Sequence, residues 1–98
     1  MTESNCSDNL VGPVLEAGES GRAILAAIHA LNQGVEVRDR GSYLRVSVPE
    51  RCRVTKRAIE QALGRPFRLP GDLELVMPSF TGHLRLGDEE VTWEAKRT

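Results

Sequence analysis

Apolar and polar positions follow two different periods along the 98 residues of this chain. Between 35 and 48 the period is two: Val35 and Val37 precede Gly41-Ser42, and Leu44, Val46 and Val48 follow it. Strict alternation on both sides of a two-residue break predicts a β-hairpin, and glycine at the first central position suits a type II′ turn. Over residues 19–33 the period lengthens. Ile24, Ile28 and Leu31 fall at i, i+4 and i+7 with Leu25 beside them, and Ala23, Ala26, Ala27 and Ala30 favour a close-packed helix. Ser20 is the expected N-cap and Gly34 the residue that ends the helix. A second helix is expected over 55–63, with Thr55 as N-cap and Ile59, Ala62 and Leu63 inward. Gly64 terminates it and Pro66 forbids its continuation. Period two then returns at Leu73, Leu75 and Met77, at Leu84 and Leu86, and at Val91, Trp93 and Ala95; Gly87-Asp88-Glu89 joins the last two runs. The first apolar run, VGPVLEA within 10–17, reads as a strand that Pro13 confines to a sheet edge or a strand start.

The predicted order is β-α-β-β-α-β-β-β. It implies an α+β fold in which two helices pack on mostly antiparallel sheets as a compact two-layer sandwich. A chain of this length supports one modest core. The expected organisation is a single domain over 10–95, flanked by tails at 1–9 and 96–98. No apolar run approaches the ~20 residues that span a bilayer. The polar, acidic N-terminus does not resemble a secretory signal, so the expected compartment is the cytoplasm, without membrane association. Cys6 falls in the tail and Cys52 lies between Arg51 and Arg53. Flanking positive charge can lower a thiol pKa, but no base stands nearby in sequence, and an ordinary free thiol is the expectation.

Residues for chemistry are scarce. The two histidines, His29 and His83, belong to no closely spaced ligand pair, so no metal site is expected. Ser79 and His83 lie four residues apart without a third group to orient them, and no nucleophile elbow or phosphate loop is present. No catalytic, cofactor-binding or metal-binding residue is assigned. Charge is more informative. Net charge is −4 over 1–37, +6 over 38–68 and −3 over 69–98, and eleven of the thirteen bases are arginine. Hairpin pairing across Gly41-Ser42 sets Arg38 opposite Arg45 and Arg40 opposite Tyr43, on the side away from Val37 and Val46. Like charges so opposed are destabilising, with Glu36 on the diagonal as partial relief. This is either a solvated outer face or a surface for a partner's acids. The last hairpin differs, since Arg85 lies near Glu90 and Thr92. Phe80, among the small turn residues of MPSFTG at 77–82, is either a core residue anchoring a corner or an apolar contact offered to a partner. The basic centre also permits a small RNA-binding module, although no stacking aromatic pair or GXXG loop accompanies it.

Four segments carry a family resemblance: NLVGPV at 9–14, VEVRDR at 35–40 with Tyr43 following, LGRPF at 63–67 and SFTG at 79–82. In this order, over residues 9–94, they resemble the effector (regulatory or coupling) proteins of soluble diiron monooxygenases, the group serving methane, phenol, toluene and alkene oxidation. The short N-terminal tail is closer to the aromatic and alkene branches. The resemblance implies a non-catalytic, cofactor-free protein that binds a separate diiron hydroxylase and modulates turnover, coupling and substrate access. It also allows competition there with a ferredoxin or reductase. Ser79, Phe80, Thr81 and Gly82 are expected to face the hydroxylase. Arg40 and Tyr43 match a motif that is structural, contacting or both. Together with Arg38 and Arg45 these make the expected partner-binding set, and no nucleic acid is expected.

Overall fold

In a computed structural model of the chain, which describes residues 9–95, the hairpin and both expected helices form where their periods place them. The elements in order are β1 (Leu10–Glu16), α1 (Glu19–Leu31), β2 (Glu36–Asp39), β3 (Tyr43–Pro49), β4 (Arg51–Thr55), α2 (Lys56–Leu63), α3 (Gly71–Val76), β5 (Ser79–Thr81), β6 (His83–Leu86) and β7 (Glu90–Glu94). The α+β class stands, and the sequence of helices and strands matches the expected order with β4 added, except that the strand expected at 73–77 is replaced by α3 followed by β5. The tails expected at 1–9 and 96–98, with Cys6, fall outside the described residues except for Asn9.

Two antiparallel sheets share one core. The larger has the order β2-β3-β1-β5 and the smaller β4-β7-β6. Val11, Leu15, Leu44, Val46 and Val48 from the first sheet meet Cys52, Val54, Val91 and Trp93 from the second, with Ile24 and Ile28 of α1, Ile59 of α2 and Leu73 of α3. The chain passes from the larger sheet to the smaller at Glu50 and again at Gly82, both at positive φ. A Cβ on Gly82 would lie 2.7 Å from Val11 Cγ1 and 2.9 Å from the Glu94 carbonyl, so this crossing has no room for a side chain.

Several local expectations are corrected. β1 is an inner strand, not an edge strand. Its register with β3 pairs Val11 with Val48 and Val14 with Arg45 but skips Gly12 and Pro13, so the missing proline N–H falls where the ladder is already interrupted. Helix α1 starts at Glu19 as expected, but its N-cap is Gly18, two positions before the expected Ser20, without a side-chain cap, and Ser20 lies inside the first turn. Ala62 is exposed, while Ile59 is buried. The alternation at Leu73, Leu75 and Met77 does not make a strand. Asp72 accepts a hydrogen bond from the Arg68 N–H at 2.9 Å, and the Glu74 N–H donates to the Pro70 carbonyl at 3.0 Å, which closes a helical turn. Leu73 and Met77, four apart, serve a helix face as well as a strand face, and Leu75 is left outside.

Strand β4, unforeseen, is one of the two outer strands of the smaller sheet, and the Asn32 side chain covers its edge. Asn32 Nδ2 donates to the Arg53 carbonyl at 2.7 Å and to the Ile28 carbonyl at 2.8 Å, and Oδ1 accepts from the Arg53 N–H at 3.0 Å. One side chain thereby replaces a neighbouring strand and ties the end of α1 to the sheet.

Replacing Asn32 with alanine strands both Arg53 backbone groups and is expected to cost about 2 kcal/mol, read as a lowered urea midpoint with unchanged slope. Burial pushes the Cys52 thiol from its ordinary 9.0 up to about 12. The unfolded chain ionises there first, so stability should fall as pH rises from 9.0 toward 12. In a Cys6→Ser chain, a thiol reagent at mildly alkaline pH should label Cys52 only after denaturant is added; rapid native labelling would contradict this burial.

Candidate partner-binding surface

Register decides which side chains share the outer face of the four-stranded sheet. Glycine with φ 85 at position 41 turns the β2–β3 hairpin, the Arg40 N–H donates to the Tyr43 carbonyl at 2.8 Å, and Asp39 Oδ1 accepts from the Gly41 N–H at 2.9 Å. Arg38 consequently stands opposite Arg45, as the two-residue turn requires. Arg45 stands opposite Val14 on β1, and Val14 opposite Ser79 on β5. Arg38, Arg45, Val14 and Ser79 thus form one row across four strands. With about 4.8 Å between strands the row is ~15 Å long. Thr81, two residues from Ser79, lies on the same side of β5 opposite Gly12, and Tyr43 lies opposite Glu16 one step from the row. The hairpin arginines and the SFTG segment, 34 positions or more apart in sequence, are one surface.

The charge on this surface is unbalanced. Arg38, Arg40 and Arg45 are exposed and make no ion pair among the described residues. With Leu10, Glu36 and Ser47 they line an open hollow of about 270 Å³. The outer face of the smaller sheet is the opposite case. Arg53 pairs with Glu90, Arg51 with Glu94 at 3.8 Å, and Arg85 with Glu94 at 3.4 Å. Self-compensation was expected there, but the partner of Arg85 is Glu94, because Arg53 of the unforeseen β4 occupies Glu90. On the helical side, Arg65 lies 3.1 Å from Glu19, and its hydrogen bond and charge hold the Glu19 carboxyl below the usual range.

Of the two readings of Phe80, the core anchor fails: its side chain is 41% exposed, opposite Pro13 at the sheet edge. Tyr43 is 43% exposed. Gly82 is half-buried at the crossing between sheets, so its role is to place Ser79, Phe80 and Thr81. Among the described residues no group of three or more His, Cys, Asp or Glu could hold a metal ion. Ser79 and His83 belong to different sheets. No helix among the described residues is long and apolar enough to cross a membrane.

Comparison with known proteins agrees with the motifs. The model of the MmoB/DmpM family matches residues 9–94. The effector subunit of the alkene monooxygenase system of Xanthobacter autotrophicus is 42% identical over 97 residues, covering 97% of this chain and 95% of that protein. Among solved structures, a chain of the phenol hydroxylase–regulatory protein complex superposes with TM-score 0.77 at 20% identity, over 87% of this chain and 97% of that one. The soluble methane monooxygenase regulatory protein B superposes with TM-score 0.67 at 22% identity, over 98% of this chain and 69% of that one. The chain belongs to the MmoB/DmpM family, the effector-protein group that its four motifs resemble.

Proposed function

We propose that this chain is the effector of a soluble diiron monooxygenase of the alkene or aromatic class, and that it docks on the hydroxylase component with the outer face of its four-stranded sheet. The role is regulatory, not catalytic. The observation that carries the docking face is the single row joining Arg38 and Arg45 to Ser79. It sets guanidinium groups that make no ion pair among the described residues beside the small hydroxyl side chains of Ser79 and Thr81, which allow close approach, with Phe80 exposed at the sheet edge on the other side of β5. Arginine is the cation best suited to the planar, bidentate capture of carboxylates at an interface, so the matching hydroxylase surface is acidic. The alkene monooxygenase relative supports the substrate class. The place of action is the cytoplasm, beside the hydroxylase. Where the ferredoxin or reductase approaches the same acidic surface, its docking and that of the effector exclude one another.

Binding alone does not regulate. A ligand shifts a conformational equilibrium only by its differential affinity for the states involved. The effector therefore favours the hydroxylase state in which electrons are coupled to product, and the bound hydroxylase carries the iron chemistry.

Charge reversal separates docking from folding. Arg38→Glu places a carboxylate opposite Arg45, which should raise stability by ~0.2–1 kcal/mol, seen as a higher thermal midpoint. The same change should raise the dissociation constant for the cognate hydroxylase tenfold or more at low ionic strength, speed dissociation and lower product formed per electron consumed. Arg45→Glu should behave alike. Unchanged affinity in both variants would remove this face from the interface. Failure of the unaltered chain to bind or couple any diiron hydroxylase would remove the function.

A further inference from the structure

The arginine hollow on the outer face of the four-stranded sheet has more order than a charged patch. Arg38 and Arg40 are alternate residues of one run of chain, and Arg45 is the cross-strand partner of Arg38. All three therefore leave the sheet on the same side. Neighbouring strands lie ~4.8 Å apart and alternate residues of a strand ~6.8 Å apart. The three side chains thus spring from one small corner and can close over a single group. Ser47, paired with Glu36, adds a hydroxyl, and Leu10 gives the hollow of about 270 Å³ an apolar wall.

The described residues supply no anion to this corner. Arg38, Arg40 and Arg45 make no ion pair among them. Glu36, the carboxylate that lines the hollow, sits at the end away from Arg40 and pairs with none of the three. Register holds Arg38 against Arg45, so an anion between them gains attraction from both and relieves their repulsion. The number of donors decides which anion fits. A carboxylate offers two oxygens and one charge, and a single guanidinium satisfies it in bidentate fashion. A phosphoryl group offers three terminal oxygens and up to two charges. Three guanidinium groups with a hydroxyl beside them match the phosphoryl group. Glu36 repels further negative charge at the far end and so limits the size of the ligand.

We infer that Arg38, Arg40, Arg45 and Ser47 form a binding site for the dianionic phosphoryl group of a free phosphate compound, and that filling it displaces the effector from the hydroxylase. The second half rests on the docking face proposed above, since guanidinium groups that hold phosphate are lost to a partner's carboxylates. The level of phosphate compounds then sets how much effector is free to dock, apart from general screening by salt.

The probe is inorganic phosphate at mildly alkaline pH, where it is a dianion, with chloride and acetate at matched ionic strength as controls. In the isotopically labelled free chain, phosphate should shift the amide signals of the β2–β3 hairpin saturably, at millimolar concentration or below, and acetate should bind at least tenfold more weakly. Arg40→Gln and Arg45→Gln should each weaken phosphate binding fivefold or more. Arg57→Gln removes an exposed arginine from α2 and should change it less than twofold. Emission of the buried Trp93 should report an intact fold in all three variants. Phosphate should also raise the apparent dissociation constant for the cognate hydroxylase more than chloride does. A response that fails to saturate, equals that to acetate, or falls equally in Arg57→Gln overturns the site. If phosphate does not bind while Arg38→Glu still weakens docking, the inference falls and the docking function stands. If phosphate binds without competing, the competition and the docking face fall together and the phosphate site stands.

Discussion

The close approach at Gly82 governs this molecule. Four strand ends meet there: β5 stops, β6 starts, Val11 near the start of β1 touches the glycine, and the Glu94 carbonyl at the end of β7 closes over it. The other crossing lies against the same seam, since the Glu50 N–H donates to the Asn9 carbonyl at 2.7 Å and its carbonyl accepts from the Ala95 N–H at 2.9 Å. With the seam fixed, the inner faces of the two sheets are held over one core, and Trp93 is fully buried between Cys52 and Leu84 in register. The same seam brings Ser79 against Val14. The candidate site and the core are thus set by one packing constraint.

That constraint leaves two outer faces with opposite electrostatics. On the smaller sheet every arginine of β4 and β6 finds a glutamate of β7. Such exposed pairs add little stability, about 0–1 kcal/mol each, but they neutralise the face and so make it unattractive to a charged partner. On the larger sheet Arg38 and Arg45 oppose one another across a ladder, with no such relief among the described residues. The contrast within one domain supports the proposed docking side better than net charge does, because the chain as a whole carries only −1.

Much of this was legible locally. The hairpin register follows from a two-residue turn between two runs of period two, and the opposition of Arg38 and Arg45 follows from the register. Thr55 and Gly64 bound α2 as their chemistry requires, with the Thr55 hydroxyl accepting from the Ala58 N–H at 3.1 Å. What escaped was non-local or too short to carry a period. Three apolar residues at 73, 75 and 77 fit either element, and the Asp72 carboxylate, reaching back to the Arg68 N–H, holds the entry to the helix. Strand β4 shows in the sequence only as Cys52 and Val54 alternating with Arg51, Arg53 and Thr55, and two apolar positions are too few to set a period. The exposure of Phe80 depends on β5 being an edge strand, and the row through Val14 depends on β1 pairing on both sides. No window of sequence contains either fact.

Opposed like charges also bear on how an effector can discriminate. In the free protein the repulsion between Arg38 and Arg45 is softened by water and salt. A partner that excludes water strengthens every charge interaction at the contact, so the same pair is more repulsive when carboxylates are misplaced and more favourable when they are well placed. The two guanidinium groups therefore penalise an imperfect fit as well as rewarding a correct one, which is how specificity arises from a repulsive element. A hydroxylase that moves its acidic side chains between states would present both fits in turn. On the proposed docking face, the affinity difference between those states would then rest on a pair of arginines that a protein selected for stability alone would not place opposite one another.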